Sequence, residues 1–216
     1  MSKPNKSIAQ RIFDAEIAIE NTLGNPHILA AVAAFGYEER RLLEARTLYE
    51  KVRELTEWQR REYGEQYEAT SAMQQAWDEE EAAYSAAIKI ARIAFRDNKK
   101  AQNALSLNGA RKKSRSGWLD QARSFYNNML REPEFIAVMT PYSYDEAKLN
   151  AEAALVQVVA QRSEVQDMER GTAQEATKLR DEKLAELDRW LADYKAVAQV
   201  ALAASPQQLE QLGWVV

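Results

Sequence analysis

The second half of this sequence overlays the first without a gap at a shift of 107 positions, and no other feature limits the fold so strongly. Pro26 falls on Pro133, Tyr37 on Tyr144, Leu42 on Leu149, Val52 on Val159 and Gly64 on Gly171. Residues 15–105 hold 21 identical pairs with their counterparts, where shared helical composition alone would give roughly 6 to 8. Two unrelated helical stretches would not keep Pro, Gly and Tyr in one unbroken register. The chain therefore reads as a tandem duplication: a first helical repeat over 8–108, a basic linker over 109–115 and a second repeat over 116–215, the repeats interdigitating into one structural unit.

What is repeated is helix. Seven Gly and five Pro in 216 residues leave little of the punctuation that an all-β fold needs. In the first copy, Ile8, Ile12, Ala15, Ile19 and Leu23 recur three or four positions apart and predict a helix over 8–23. Gly24 ends it, and Pro26, tolerated in a first helical turn, opens a short apolar helix to Ala34. Phe35-Gly36-Tyr37 is a turn, and a short closing helix falls at 99–107. The second copy predicts helices over 116–131, 133–140, 145–203 and 206–213.

The segment from Glu38 to Arg96 decides the architecture, because it contains no proline and only one glycine, Gly64. Two columns run through it at intervals of seven: Leu42, Tyr49, Thr56, Tyr63, Thr70, Trp77, Tyr84 and Ala91, and Ala45, Val52, Gln59, Gln66, Met73, Glu80, Ala87 and Ala94. This spacing crosses Gly64 without a stutter, as in a continuous coiled-coil-like helix of about 88 Å. The seam is apolar at its ends and polar at its middle in both copies, with Ser163, Gln166, Arg170 and Thr177 in the second. The expected fold class is all-α, with two long antiparallel coiled-coil-like helices and short helices packed at their ends. The alternative is a break near 64–71, where Ser71 and Gln74 could form a capping box, giving two compact helical-hairpin bundles. Against it, a lone glycine costs a helix only about 1 kcal/mol.

Much chemistry is excluded by residue type. With no cysteine there is no disulfide, thiolate metal site or thiol nucleophile. The single histidine, His27, has Gly24 three residues before it, so the Glu-x-x-His motif of carboxylate-bridged metal bundles is missing, as is a partner for a catalytic triad. Asp78-Glu79-Glu80-Glu81 lies mid-helix, its carboxylates splayed around the cylinder instead of wrapped around a calcium turn. Glu80 alone sits on the seam, where a structural ion pair with an Arg of the other long helix is expected. Neither GxGxxG nor GxxxxGK[ST] can be read. No catalytic, metal or cofactor site is expected. The longest apolar stretch, residues 28–35, is far short of the roughly 20 residues a membrane span requires. The first six residues lead into an amphipathic segment with no apolar leader, so a cytoplasmic protein is expected.

Tyr49, Tyr63, Trp77 and Tyr84 fall on the seam and are expected to pack there, while Trp118, Phe125 and Tyr126 lie on the second copy's first helix and should fill the helical head there. The charge is uneven: against a chain net of −4, residues 89–115 carry nine Lys and Arg and only Asp97, a local +8. Arg111, Lys112, Lys113 and Arg115 in its loop are the candidate contacts for a polyanion such as nucleic acid. A solvated linker whose cations complement a helix C-terminus explains the same residues. The leading functional reading is a non-enzymatic structural or protein-interaction protein that self-associates or takes a partner helix. Polyanion binding comes second, and small-ligand binding between helices third.

Overall fold

The structure, a computed structural model, describes residues 6–214; residue 215, the expected end of the second repeat, and most of the N-terminal segment lie outside. Among the described residues eight α-helices run α1 (Ile8–Gly24), α2 (Pro26–Ala33), α3 (Glu39–Ala94), α4 (Lys99–Ala104), α5 (Arg115–Arg131), α6 (Pro133–Met139), α7 (Glu146–Ala201) and α8 (Pro206–Gln211). No strand occurs among the described residues, and none of their helices is long and apolar enough to cross a membrane.

The helices α1 to α4 begin at Ile8, Pro26, Glu39 and Lys99, and α5 to α8 begin 107 positions later in every case. The turns repeat as well. Gly36 and Ser143 both take left-handed backbone (φ 82° and 66°), and so do Ser106 and Gly213 (φ 50° and 78°). At each, the following amide donates back to a carbonyl five residues earlier, Tyr37 to Val32 and Tyr144 to Met139, closing the helix as a Schellman turn does. Helix starts are set by side-chain caps: Ser7 accepts from the Gln10 amide at 3.1 Å and Ser114 from the Gly117 amide at 3.3 Å.

Glu39–Ala94 and Glu146–Ala201 are each one unbroken helix, so the break near 64–71 does not occur. Some boundaries shift: α6 ends at Met139, where Pro141 turns the chain through a 3-10 turn at Thr140–Tyr142, and Arg115 opens α5 instead of closing the linker. One inward column of α3 is as expected, with Ala45, Val52, Met73, Glu80 and Ala87 buried. The other drifts mid-helix, where Leu55 and Glu62 are buried while Tyr63 is exposed. Seven residues fall short of two full turns at 3.6 residues per turn, so a fixed seven-residue column rotates off a straight seam.

The described residues divide into two compact units. Unit 1 comprises those up to Gly64 together with those from Gly171 onward, and unit 2 is Glu65–Arg170. Each unit thus joins part of one repeat to part of the other.

In unit 1, Leu42 shares a core with Tyr194 and Ala198, while Ala45, Tyr49 and Val52 meet Leu184 and Leu187. Farther along, the Arg180 guanidinium donates to Gln59 at 2.7 Å, so α3 and α7 run antiparallel here. Tyr194, fully buried, stacks on Trp190 at 5.0 Å, meets Trp214 edge-on at 5.8 Å, and shares a hydrogen bond with the Thr22 hydroxyl. Arg46 and Tyr49 on α3 hold Glu20 on α1; the guanidinium keeps that carboxyl below the usual range.

In unit 2, Tyr84, Ala87, Ile88 and Ala91 of α3 share a core with Leu149, Val156 and Val159 of α7, and Gln166 of α7 donates to Thr70 of α3 farther along, so the two run antiparallel here too. Trp118, Phe125 and Tyr126 of α5 fill it as expected, with Trp118 4.3 Å from Trp77 and Tyr84 edge-on to Phe125 at 5.6 Å.

Candidate functional site

Two kinds of place depart from a plain helical core, grooves on the surface of unit 1 and a polar cluster inside unit 2. In unit 1 a groove of about 500 Å³ runs between α3 and α7, with Leu55, Trp58 and Leu179 as its floor. Trp58 is half-buried and Leu179 is 37% exposed. Lys51, Glu54 and Arg61 form the α3 edge, and Glu182 and Lys183 form the α7 edge. Along those edges Lys51 pairs with Glu54 at 2.8 Å and Lys183 with Glu186 at 2.7 Å. A second groove of unit 1, about 640 Å³, lies between α1 and α3 with Ile8, Ile12 and exposed Phe13 on its α1 side.

Inside unit 2 three polar side chains from three helices converge. Tyr126 of α5 is buried and donates its hydroxyl to Glu152 Oε2 of α7 at 3.0 Å. Glu80 of α3 is fully buried, and neither of its carboxylate oxygens has a hydrogen-bond partner. The buried Trp118 indole Nε1 likewise has none. Burial, and then the charge of nearby Glu152, push the Glu80 carboxyl up to about 8, with the Tyr126 hydroxyl pulling the other way. Glu152 is raised by burial too, against the Tyr126 hydrogen bond and the Lys148 charge. Burial and the two carboxylates drive the Tyr126 phenol far up, and Tyr84 rises to about 12 through burial, against Arg111 and Arg92. Glu80 is therefore a buried acid that keeps its proton at neutral pH. The ion pair expected for Glu80 does not form, because the group facing it is another carboxylate and a phenol, not an Arg.

The same three positions one repeat away belong to unit 1. Counterparts of Tyr126, Glu152 and Glu80 are Ile19, Ala45 and Leu187, and all three lie in one apolar cluster. The fold accepts a dry core at this point. The repeat alignment holds the clue that single residues do not: a seam alanine, Ala45, aligns with Glu152.

The basic segment is largely tied into unit 2. Arg92 donates to the Leu107 carbonyl at 2.9 Å and to that of Gly109 at 3.3 Å, and Lys100 reaches Glu134 at 2.6 Å. Arg111 donates to Ser85, Lys112 to Asp120 and Arg115 to Ser163. Lys112 also packs where a side chain on Gly117 would collide with it at 2.8 Å. Of the four candidate polyanion contacts, only Lys113 lacks such a bond among the described residues. His27 is exposed at the start of α2, where its amide donates to Asn25. Asp78 and Glu79 accept from Gln74 and Gln75 on the solvent face, and only Glu80 of that acidic run turns inward.

No family model, no curated protein and no solved structure matches the chain.

Proposed function

We propose that this is a non-enzymatic helical interaction protein that self-associates through the α3–α7 groove of unit 1. The observation that carries the reading is the half-exposed Trp58 beside Leu55 and Leu179 in an uncovered groove. Tryptophan in such a setting removes a large apolar area from water when a partner covers it, and it is the residue type most often found to dominate interface energies. The occupant is a second copy of the chain, because both edges carry both signs of charge: Lys51, Glu54 and Arg61 on α3, and Glu182, Lys183 and Glu186 on α7. A surface with that alternation is complementary to itself under a two-fold rotation, whereas a strongly acidic or basic partner would meet repulsion along either edge.

Sedimentation velocity across a micromolar concentration series tests the reading. The wild-type chain is expected to pass from monomer to dimer, and Trp58→Glu to weaken the dimer at least about thirtyfold, the effect of a hot-spot loss. A wild-type chain that stays monomeric through the series, or a dimer indifferent to Trp58→Glu, overturns the proposal.

A further inference from the structure

Buried carboxylates are expensive to keep in a core, and the pair in unit 2 occupies a place where the same fold packs well without them. Ile19, Ala45 and Leu187 show what that position looks like as hydrocarbon. At the matching point of unit 2, three separate helices each supply an oxygen-bearing side chain directed at the same small region. Replacing a buried charged set by well-packed apolar groups is commonly neutral or stabilising. Packing therefore gives no account of Glu80, Glu152 and Tyr126 arising together.

Their donor atoms specify what would neutralise them. Carboxylate and phenol oxygens are hard donors, suited to magnesium, manganese or calcium and poorly suited to thiophilic metals. Once the ion displaces the proton that Glu80 otherwise keeps, two carboxylates carry the charge that one divalent ion cancels. Both Glu80 oxygens are buried with no hydrogen bond of ordinary geometry, the Tyr126 hydroxyl proton being given to Glu152, so they are available as ligands once their own proton leaves. Tyr126 already orients Glu152 by donating to its Oε2, the kind of outer hydrogen bond that holds a metal-ligating carboxylate in place. The grooves described above do not include these residues, and aromatic rings of Tyr84, Phe125 and Trp118 pack closely around them. A single ion is the smallest group that would neutralise these oxygens.

We propose that Glu80 and Glu152, oriented by Tyr126, form a binding site for one hard divalent cation inside unit 2. Terbium serves as the probe, since it binds oxygen ligands as calcium does and luminesces when an excited indole or phenol lies nearby, as Trp118, Tyr84 and Tyr126 do here. Titration of the full chain is expected to give sensitised emission that saturates at one ion per chain and is displaced by calcium, manganese or magnesium at millimolar concentration. Glu80→Gln should weaken binding at least about tenfold, while Glu79→Gln on the solvent face leaves it unchanged. Should Glu80→Gln lose its helical circular dichroism, Glu152→Gln carries the same test. Absence of sensitised emission, emission that none of the three cations displaces, or a titration unaffected by whichever of the two variants folds overturns the site.

Discussion

Replacing Glu80 by glutamine should change how the stability of the chain depends on pH more than it changes the stability itself. In the folded chain the Glu80 carboxyl is raised from an ordinary 4.5 to about 8, first by burial and then by Glu152. An unfolded chain releases that proton near the ordinary value. Between the two values the folded state holds a proton that the unfolded state has lost, so stability falls as pH rises through this window and levels off above about 8. The slope for one group is about 1.4 kcal/mol per pH unit, and the window of roughly three and a half units gives a ceiling of about 5 kcal/mol. Glu152, also raised by burial, acts in the same direction. The charge of Lys148 on α7 opposes the rise at Glu152 and softens its share, while Arg92 and Arg111 face the neighbouring Tyr84 phenol.

The amide of Glu80→Gln is a near-isostere of the protonated acid and does not titrate. Urea unfolding followed by far-ultraviolet circular dichroism, on protein kept in EDTA, is the assay. Near pH 5 the two chains should be of similar stability; by about pH 8 the variant should be more stable by about 3 to 5 kcal/mol, because only the wild type has lost ground. Parallel profiles from acid to alkaline pH would refute the reasoning, since they would mean that Glu80 titrates as it would in water.

Two further outcomes follow from helix geometry and hydrogen bonding. An added Cβ at Gly64 or Gly171 meets nothing within 4 Å, so Gly64→Ala and Gly171→Ala should each stabilise the chain by about 0.5–1 kcal/mol; a lowered thermal midpoint would contradict this. Arg92→Ala leaves the part-buried Leu107 carbonyl without its guanidinium donor and should cost about 1–2 kcal/mol, against about 0.5 kcal/mol or less for Lys113→Ala; equal losses in urea unfolding would mean that the basic segment is not anchored as described.

The architecture was readable because the strongest local signals are duplicated. Pro26 and Pro133, and the pattern from Leu42 to Ala91, place α2, α6 and the long helices without reference to tertiary contacts. The seam was only half readable. Its Ala45 to Ala87 column survives, but Tyr63 turns outward because a seven-residue count accumulates an angular error along a straight helix. Glu80 was recognisable as an inward acid, yet its surroundings were not. They come from Glu152 and Tyr126, whose meeting with Glu80 depends on the register of α3 against α7 and on the rotation of α5, and no local pattern encodes either. The basic segment was readable as charge but not as structure. Nine cations close in sequence suggest a surface for anions, while the fold spends Arg92, Lys100, Arg111, Lys112 and Arg115 on carbonyls, hydroxyls and carboxylates of unit 2.

Duplication turns the molecule into its own control. Backbone, helix starts and left-handed turns match between the copies, so a difference at one aligned position is free of the difference in fold that usually confounds such comparisons. Several differences in the cores exchange one apolar group for another: Phe125 stands for Ala18, Tyr84 for Leu191, and the cores close in either case. The exchange of Ile19, Ala45 and Leu187 for Tyr126, Glu152 and Glu80 is of another kind. It introduces two acids and a phenol together, at one point, into a medium where each alone is unfavourable. Three that converge point to a partner for their oxygens, be it a retained proton or a bound cation. Those two partners part company in the terbium titration, because a site held for the proton alone shows no displaceable ion.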